Sequence, residues 1–133
     1  GFVRRTGSVG MAADVTSYQQ RVEEWLEACF PHSVRSDRTE RTHRFLEEAL
    51  ELAQANGCSH DDAIALVQYV LGRPKGEPTQ EVGGVMVTLA SLCSASGIHM
   101  GEAGDIELAR NWDRIEAIRA KQQAKPHASP LPQ

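Results

Sequence analysis

A chain of 133 residues with a formal net charge of −4 is long enough for one domain and short for two. Its weak acidity argues against a general nucleic-acid binder, which usually carries a basic patch or stripe. No apolar run approaches the roughly 20 residues that cross a bilayer, and the start lacks a signal-peptide pattern, so we expect a cytoplasmic protein that contacts neither membrane nor nucleic acid.

The composition changes at both ends of the chain. Residues 1–10 read GFVRRTGSVG and differ in character from the rest of the chain, and Met11 is a plausible natural start, so we interpret this segment as an artificial leader. Residues 122–133 combine three prolines with small and polar residues, which predicts a flexible C-terminal tail or an arm that lies on a neighbour. The interpretation leaves a single all-α domain over residues 11–121.

Two helices are predicted in the first half of the domain. The first covers about residues 15–30, where apolar residues including Trp25 form one stripe at helical spacing, and it ends before Pro31. The second covers about residues 38–55, with Asp37 as its N-cap and Glu40 in the reciprocal capping-box position. Asn56-Gly57 is a typical C-terminal stop.

Three more helices are predicted in the second half, which gives a helical bundle of about five. The third begins at Ser59 and closes at Gly72. The fourth runs from about Thr79 to Gly97 and is apolar almost all round, which is typical of a helix buried on most sides. The fifth covers about residues 102–122.

The three cysteines, Cys29, Cys58 and Cys93, are widely separated and form no C-x-x-C pair. Three thiols cannot all pair within one chain. We therefore expect reduced thiols in or near the core.

The second helix carries a cluster of acids at the edge of its apolar face. Glu47, Glu48 and Glu51 fall within an arc of about 100°, and like charges three or four residues apart repel one another. Two explanations remain open. Arg41 and Arg44 neutralise the acids on a solvated face, or a divalent cation does so, since hard cations prefer oxygen ligands.

The start of the fourth helix carries a further acid and an unusual glycine pair. Glu81 opens a helix that is otherwise apolar, and an unpaired charge is costly to bury. Gly83 and Gly84 come next inside the helix, where each costs roughly 1 kcal/mol relative to alanine. The pair suggests that another helix or a ligand approaches the backbone closely.

These residues support a family resemblance. The stretches RFLEEALELAQ (44–54) and EVGGVMVTLASL (81–92) resemble the all-α nucleoside triphosphate pyrophosphohydrolases, the MazG-like superfamily. The family pattern is E-x-x-E on one helix and E-x-x-D on a later one, which together hold Mg²⁺. It maps onto Glu48, Glu51 and Glu81, and the similarity to such bacterial and phage proteins covers about residues 18–125.

The resemblance implies an activity and its residues. Mg²⁺, with Mn²⁺ as an alternative, would be held by Glu48, Glu51 and Glu81, and a (deoxy)nucleoside triphosphate would be cleaved to monophosphate and pyrophosphate. Glu47 is the candidate for orienting or deprotonating the attacking water. The candidates for substrate binding are Arg73 and Lys75 in the loop before the fourth helix, and Asn111 and Arg114 on the fifth.

One position departs from the family pattern. The fourth acid falls at Gly84, which carries no side chain. Three explanations remain open. Three carboxylates are enough for activity, or another acid such as Glu47 or Asp105 replaces the fourth, or the protein binds nucleotide or metal with weak or no catalysis. A helical interaction protein without a small-molecule site is the third class of function.

We also expect self-association. The resemblance implies a homodimer or a homotetramer. A fourth helix that is apolar on every side independently needs more cover than a small monomer readily provides. The base, the sugar and the pathway are not readable from these residues.

Overall fold

The computed structural model describes residues 4–124 of the chain, and its side chains from residue 17 onward. This part is helical and contains no β-strand, which confirms the all-α prediction. Residues 4–124 form seven helices rather than the expected five or so. They are α1 (Arg4–Cys29), α2 (His32–Arg35), α3 (Arg38–Ala55), α4 (His60–Leu71), α5 (Pro78–Ser96), α6 (Met100–Asp113) and α7 (Ile115–Ala124).

The two extra elements have local causes. Pro31 ends α1, and its carbonyl then accepts hydrogen bonds from the backbone N–H groups of Val34 (3.0 Å) and Arg35 (3.2 Å), which forms the short α2. The single helix predicted over residues 102–122 is wrong. The N–H of Arg114 is shared between two carbonyls, those of Arg110 and Asn111, at 3.2 Å each, and the chain turns there before α7 begins.

The predictions for the chain ends stay predictions. The helix α1 begins at Arg4, within the segment interpreted as a leader, and α7 ends at Ala124, within the predicted tail. Residues 1–3 and 125–133 lie outside the described part of the chain.

The chain divides into two compact units whose boundaries fall inside α3 and α6. Unit 1 comprises Gly1–Arg41 together with Ile106–Gln133, and unit 2 comprises Thr42–Asp105.

Unit 1 contains a small core where α1, α2 and α7 meet. Cys29, Phe30 and Val34 are buried there, and Ile115 and Ile118 pack against them from α7. Trp25, on the predicted apolar stripe of the first helix, also packs on this core, and its ring meets that of Phe30 edge to face at 6.0 Å between centroids. Such pairs add to the free energy gained by burying the rings.

The start of α3 is fixed by a cap that the sequence predicts. The backbone N–H of Glu40 donates to Oδ1 of Asp37 at 3.1 Å. The carboxylate of Glu40 is only 4% exposed and lies 3.5 Å from the guanidinium of Arg41. A buried charge is costly unless an opposite charge lies beside it, and Arg41 provides that charge.

The helix stops in unit 2 also agree with the predictions. Gly57 has a φ of 88°, and the N–H of Cys58 donates back to the carbonyl of Ala53 at 3.0 Å, which closes α3. Ser59 caps α4 by accepting from the N–H of Asp62 at 3.1 Å. Gly97, with a φ of 70°, ends α5. Both glycines adopt the left-handed conformation that other residues avoid.

The burial expected for α5 is not found. No side chain from residue 42 to residue 105 is buried, and the apolar side chains of α5 are largely exposed. The reason is that no two helices of unit 2 pack side by side along their lengths. The predicted burial would therefore require cover from outside this unit.

The cysteines agree with the expectation of reduced thiols. All three cysteines are free thiols, as predicted, with Cys29 buried and the other two half-buried. Burial raises the pKa of the Cys29 thiol, and the nearby Arg119 partly opposes this.

Between residues 4 and 124 no single helix is long and apolar enough to cross a membrane, although α5 and α6 taken together, as a bent pair, reach that composition.

We expect Phe30→Ala to lower the free energy of unfolding by roughly 3 kcal/mol, because it empties part of a packed core. Phe30 is only 8% exposed. Urea denaturation measures the change. The control is Ile106→Ala, also in unit 1, whose side chain is 59% exposed and should cost far less. Equal losses in the two variants would contradict the core assignment.

Candidate functional site

The predicted acids of the second helix lie along one stretch of α3. Glu48 and Glu51 are exposed, whereas the side chain of Glu47 is less so. The spacing of three residues places Glu48 and Glu51 on adjacent turns of the same helix side. Two carboxylates at this spacing offer oxygen atoms of the kind that hard cations prefer.

Glu47 has an ion-pair partner on its own helix. Oε1 of Glu47 accepts a hydrogen bond from Nη1 of Arg44 at 2.8 Å, one turn earlier. This pair supports the purely structural explanation for Glu47, in which an arginine of the same helix balances its charge. Arg41, the other arginine predicted for that role, pairs with Glu40. The assignment of Glu47 as the group that activates water stays a prediction.

Glu81 lies in the first turn of α5, and its carboxylate rests against the backbone of Gly76. A Cβ atom built on Gly76 would lie 2.9 Å from Cδ of Glu81 and closer still to Oε2. A side chain at position 76 would therefore displace the exposed carboxylate of Glu81 from this place. The sequence interpretation missed Gly76, since a glycine in a Pro- and Gly-rich loop is the weakest of signals.

A second residue that the sequence interpretation missed sets the position of Glu81. Glu77 is the N-cap of α5, and its carboxylate accepts hydrogen bonds from the N–H groups of Thr79 (3.0 Å) and Gln80 (2.8 Å). Pro78 stands at the first helical position, where its missing N–H costs nothing. The hydrogen bonds from Thr79 and Gln80 lower the pKa of the Glu77 carboxyl. The signal in the sequence was an acid directly before a proline.

The glycine pair of α5 faces open space within this chain. A Cβ atom on Gly83 would meet nothing within 4 Å, and one on Gly84 would meet only Oε1 of Glu81, at 4.0 Å. The expected close approach of another helix is therefore not made by the described part of this chain. A carboxylate placed at position 84 would have room beside that of Glu81.

The three predicted metal ligands do not form a ready-made site. Among the residues that the structure describes, no three His, Cys, Asp or Glu side chains stand together in a way that could hold a metal ion. Glu48, Glu51 and Glu81 have suitable oxygen donors, but their side chains are not assembled around a common point. No reaction step through a metal ion can be derived from this arrangement.

The predicted substrate-binding residues are divided between the units. Arg73 and Lys75 are exposed in the loop of unit 2 between α4 and α5. The guanidinium of Arg73 stacks on the ring of Tyr69 at 4.3 Å and donates to its hydroxyl at 3.3 Å. Asn111, half-buried near the end of α6, and Arg114, exposed at the turn after it, belong to unit 1.

A shallow, open hollow lies elsewhere in unit 2. It forms where the end of α3 meets α4 and Leu92 of α5, and its lining includes Cys58, Leu66 and Tyr69. The lining contains none of the predicted ligands or substrate-binding residues. This hollow therefore does not coincide with the acidic cluster.

Comparisons with protein-family models, with curated proteins and with solved structures found no match to this chain. The resemblance to the MazG-like superfamily therefore rests on the two motifs alone.

We expect the stability that Glu77 contributes to depend on pH. Because its pKa is lowered in the folded state, the contribution is present above the ordinary carboxyl pKa of about 4.3 and is lost as the pH falls through the folded value. Glu77→Gln should therefore lower the melting temperature at neutral pH and have little effect at pH values below the folded pKa. The control is Glu24→Gln, which replaces an exposed acid in α1 far from the start of that helix. A deficit in Glu77→Gln that persists unchanged in acid would contradict the assigned role.

Proposed function

We propose that the protein is a Mg²⁺-dependent nucleotide pyrophosphohydrolase, which cleaves a (deoxy)nucleoside triphosphate to the monophosphate and pyrophosphate. One observation carries the proposal. Glu48 and Glu51 are exposed on adjacent turns of α3, and Glu81 is exposed in the first turn of α5. This is the order and spacing of acids on two helices that the MazG-like resemblance rests on.

The three proposed ligands are not assembled around a common point. All three carboxylates are exposed, however, and this is compatible with the proposal. Exposed side chains change rotamer within picoseconds to nanoseconds, so each carboxylate can reorient without unfolding of its helix. If Glu81 cannot bind the ion from its place against Gly76, its side chain would have to rotate away from that glycine. A bound Mg²⁺ would neutralise phosphate charge and polarise the substrate.

The loop before α5 provides positive side chains that would balance the negative charge of a triphosphate. In the proposed site Arg73 and Lys75 contact phosphate oxygens. The stacking of Arg73 on Tyr69 restricts its planar guanidinium, which is the group best suited to bidentate phosphate binding.

A specific observation supports a second candidate function, which is nucleotide or metal binding with weak or no cleavage. Gly84 stands where the family has its fourth acid, and the space beside it holds only the carboxylate of Glu81. Without that acid, the site has one negative ligand fewer to fix the ion. The two functions share the same three glutamates and differ only in turnover.

We expect the pure protein to release pyrophosphate from at least one member of a panel of canonical and modified (deoxy)nucleoside triphosphates when Mg²⁺ is present. Glu48→Gln, Glu51→Gln and Glu81→Gln should each lower the rate tenfold or more, since even the loss of a group that only supports a metal ligand costs roughly 10–100-fold. Glu116→Gln is the matched control and should retain the wild-type rate. If no member of the panel yields pyrophosphate, the protein is not this enzyme.

Gly84→Asp separates the two functions. The variant restores a carboxylate where the chain has room for one. A large gain in turnover, with nucleotide affinity already present in the wild type, would support the binding protein. Equal turnover in both forms would show that three carboxylates suffice. Calorimetric titration with Mg²⁺ and a non-hydrolysable nucleotide measures the affinity, and its complete absence in the wild type would exclude both functions.

A further inference from the structure

The first turn of α6 is closed by the ring of a histidine. The backbone N–H of Glu102 donates a hydrogen bond to Nδ1 of His99 at 3.1 Å. The carbonyl of His99 accepts the first hydrogen bond of the helix, from the N–H of Ala103 at 3.0 Å. The ring lies over this turn, since a Cβ atom built on Gly101 would be 3.4 Å from Cε1 of His99. His99 therefore acts as the N-cap, a place usually taken by Ser, Thr, Asp or Asn.

The hydrogen bond shows which nitrogen of His99 carries the proton. A backbone N–H group can only donate, so Nδ1 must be the acceptor and must be unprotonated. The neutral ring then carries its proton on Nε2. In the charged imidazolium both nitrogens are donors, and neither can accept from a backbone N–H. Only the neutral form of this exposed side chain can therefore cap α6.

The other side-chain caps in the described part of the chain use oxygen atoms. Asp37 caps α3, Ser59 caps α4 and Glu77 caps α5, each by accepting from the N–H group three residues further on. A serine hydroxyl does not titrate near neutral pH, and carboxyl groups ordinarily titrate at about pH 4. A histidine changes its charge between about pH 5 and 8. Among these four caps, the one on α6 is therefore the one whose acceptor can be lost near neutral pH.

A positive charge on His99 would also be unfavourable in this place. The N-terminus of a helix carries roughly half a positive charge, from its unbonded N–H groups. Protonation of the ring removes the acceptor from one of these groups and adds a like charge beside them. Both effects act against the closed turn.

The charged groups around this turn are mainly acids. Glu102 and Asp105 lie on α6 itself. The end of α5, just before His99, contacts the end of α3, where Oγ of Ser96 lies 3.3 Å from Oδ1 of Asn56. The titratable side chains nearest to this contact along the chain are Glu51, Cys58, His60, Asp61 and Asp62. Because a second histidine is among them, a test must follow the capped turn itself rather than overall stability.

We propose that the first turn of α6 is a pH-sensitive switch, which neutral His99 closes and protonation of His99 opens. The stability contributed by the cap is present on the alkaline side, where Nδ1 accepts, and is lost as acid protonates the ring. The turn belongs to unit 2, whereas α6 from Ile106 onward belongs to unit 1. Acid therefore loosens the part of α6 through which the chain leaves unit 2. The proposal does not depend on the nucleotide chemistry.

Nuclear magnetic resonance between about pH 5.5 and 7.5 tests the switch in the wild-type protein. Nitrogen chemical shifts of the His99 ring should show the proton of the neutral form on Nε2. The amide signal of Glu102 should titrate together with that ring. Its protection from hydrogen exchange, corrected for the intrinsic effect of pH, should fall about threefold or more at the acid end, as expected for the loss of a cap.

Variants at two histidines complete the test. His99→Asn is the matched control, since asparagine caps helices well and does not titrate in this range, and it should keep the Glu102 amide equally protected at both ends. His99→Ala should leave that amide poorly protected throughout. His60→Asn changes an exposed histidine that lies after the Ser59 cap, and it should leave the Glu102 titration unchanged.

Two results in the wild type would overturn the proposal. One is a neutral His99 ring with its proton on Nδ1, which could not accept from Glu102. The other is a Glu102 amide whose protection is the same at both ends of the pH range. The second result would follow if protonated His99 held the turn closed by pairing with the carboxylate of Glu102.

Discussion

The removal of apolar side chains from water is the main force available to a chain this small, and its two units meet that requirement differently. Unit 1 folds the end of α1, the short α2 and α7 around Phe30 and forms a small core. Unit 2 exposes apolar side chains on helices that do not pack along one another. One unit buries apolar side chains in a core of its own, and the other leaves most of its large apolar side chains exposed within this chain.

The candidate site depends on how helices begin. Glu77 accepts hydrogen bonds from the backbone N–H groups of Thr79 and Gln80, and these bonds fix the first turn of α5, which contains Glu81. Gly76 leaves the space into which the Glu81 carboxylate folds. On α3, Glu47 is paired with Arg44, and Glu48 and Glu51 are the more exposed acids. The acids are therefore not equivalent, because Glu47 is paired with an arginine of its own helix and Glu81 lies against Gly76.

Local rules account for the part of the structure that was predicted correctly. Asp37, Gly57, Ser59 and Gly97 act on atoms within a few residues, and so the bounds of α3, the start of α4 and the end of α5 could be inferred from capping and stop signals. The split near Arg114 could not, because residues 102–122 have a continuous helical pattern. What favours the turn is the packing of α7 on the core of unit 1, which involves residues of α1 and α2, far away along the chain.

The sequence by itself determined the all-α class, the ends of three helices and the placing of acids at helical spacing, since each of these depends on neighbouring residues. Only the tertiary structure decided what each group contacts. It showed Glu47 beside Arg44, Arg73 stacked on Tyr69 and Glu81 against Gly76. It also showed that α5, whose apolar pattern predicts burial, is exposed within one chain. An apolar pattern indicates that burial of a side chain would be favourable. Whether a surface covers that side chain depends on which helices meet in space.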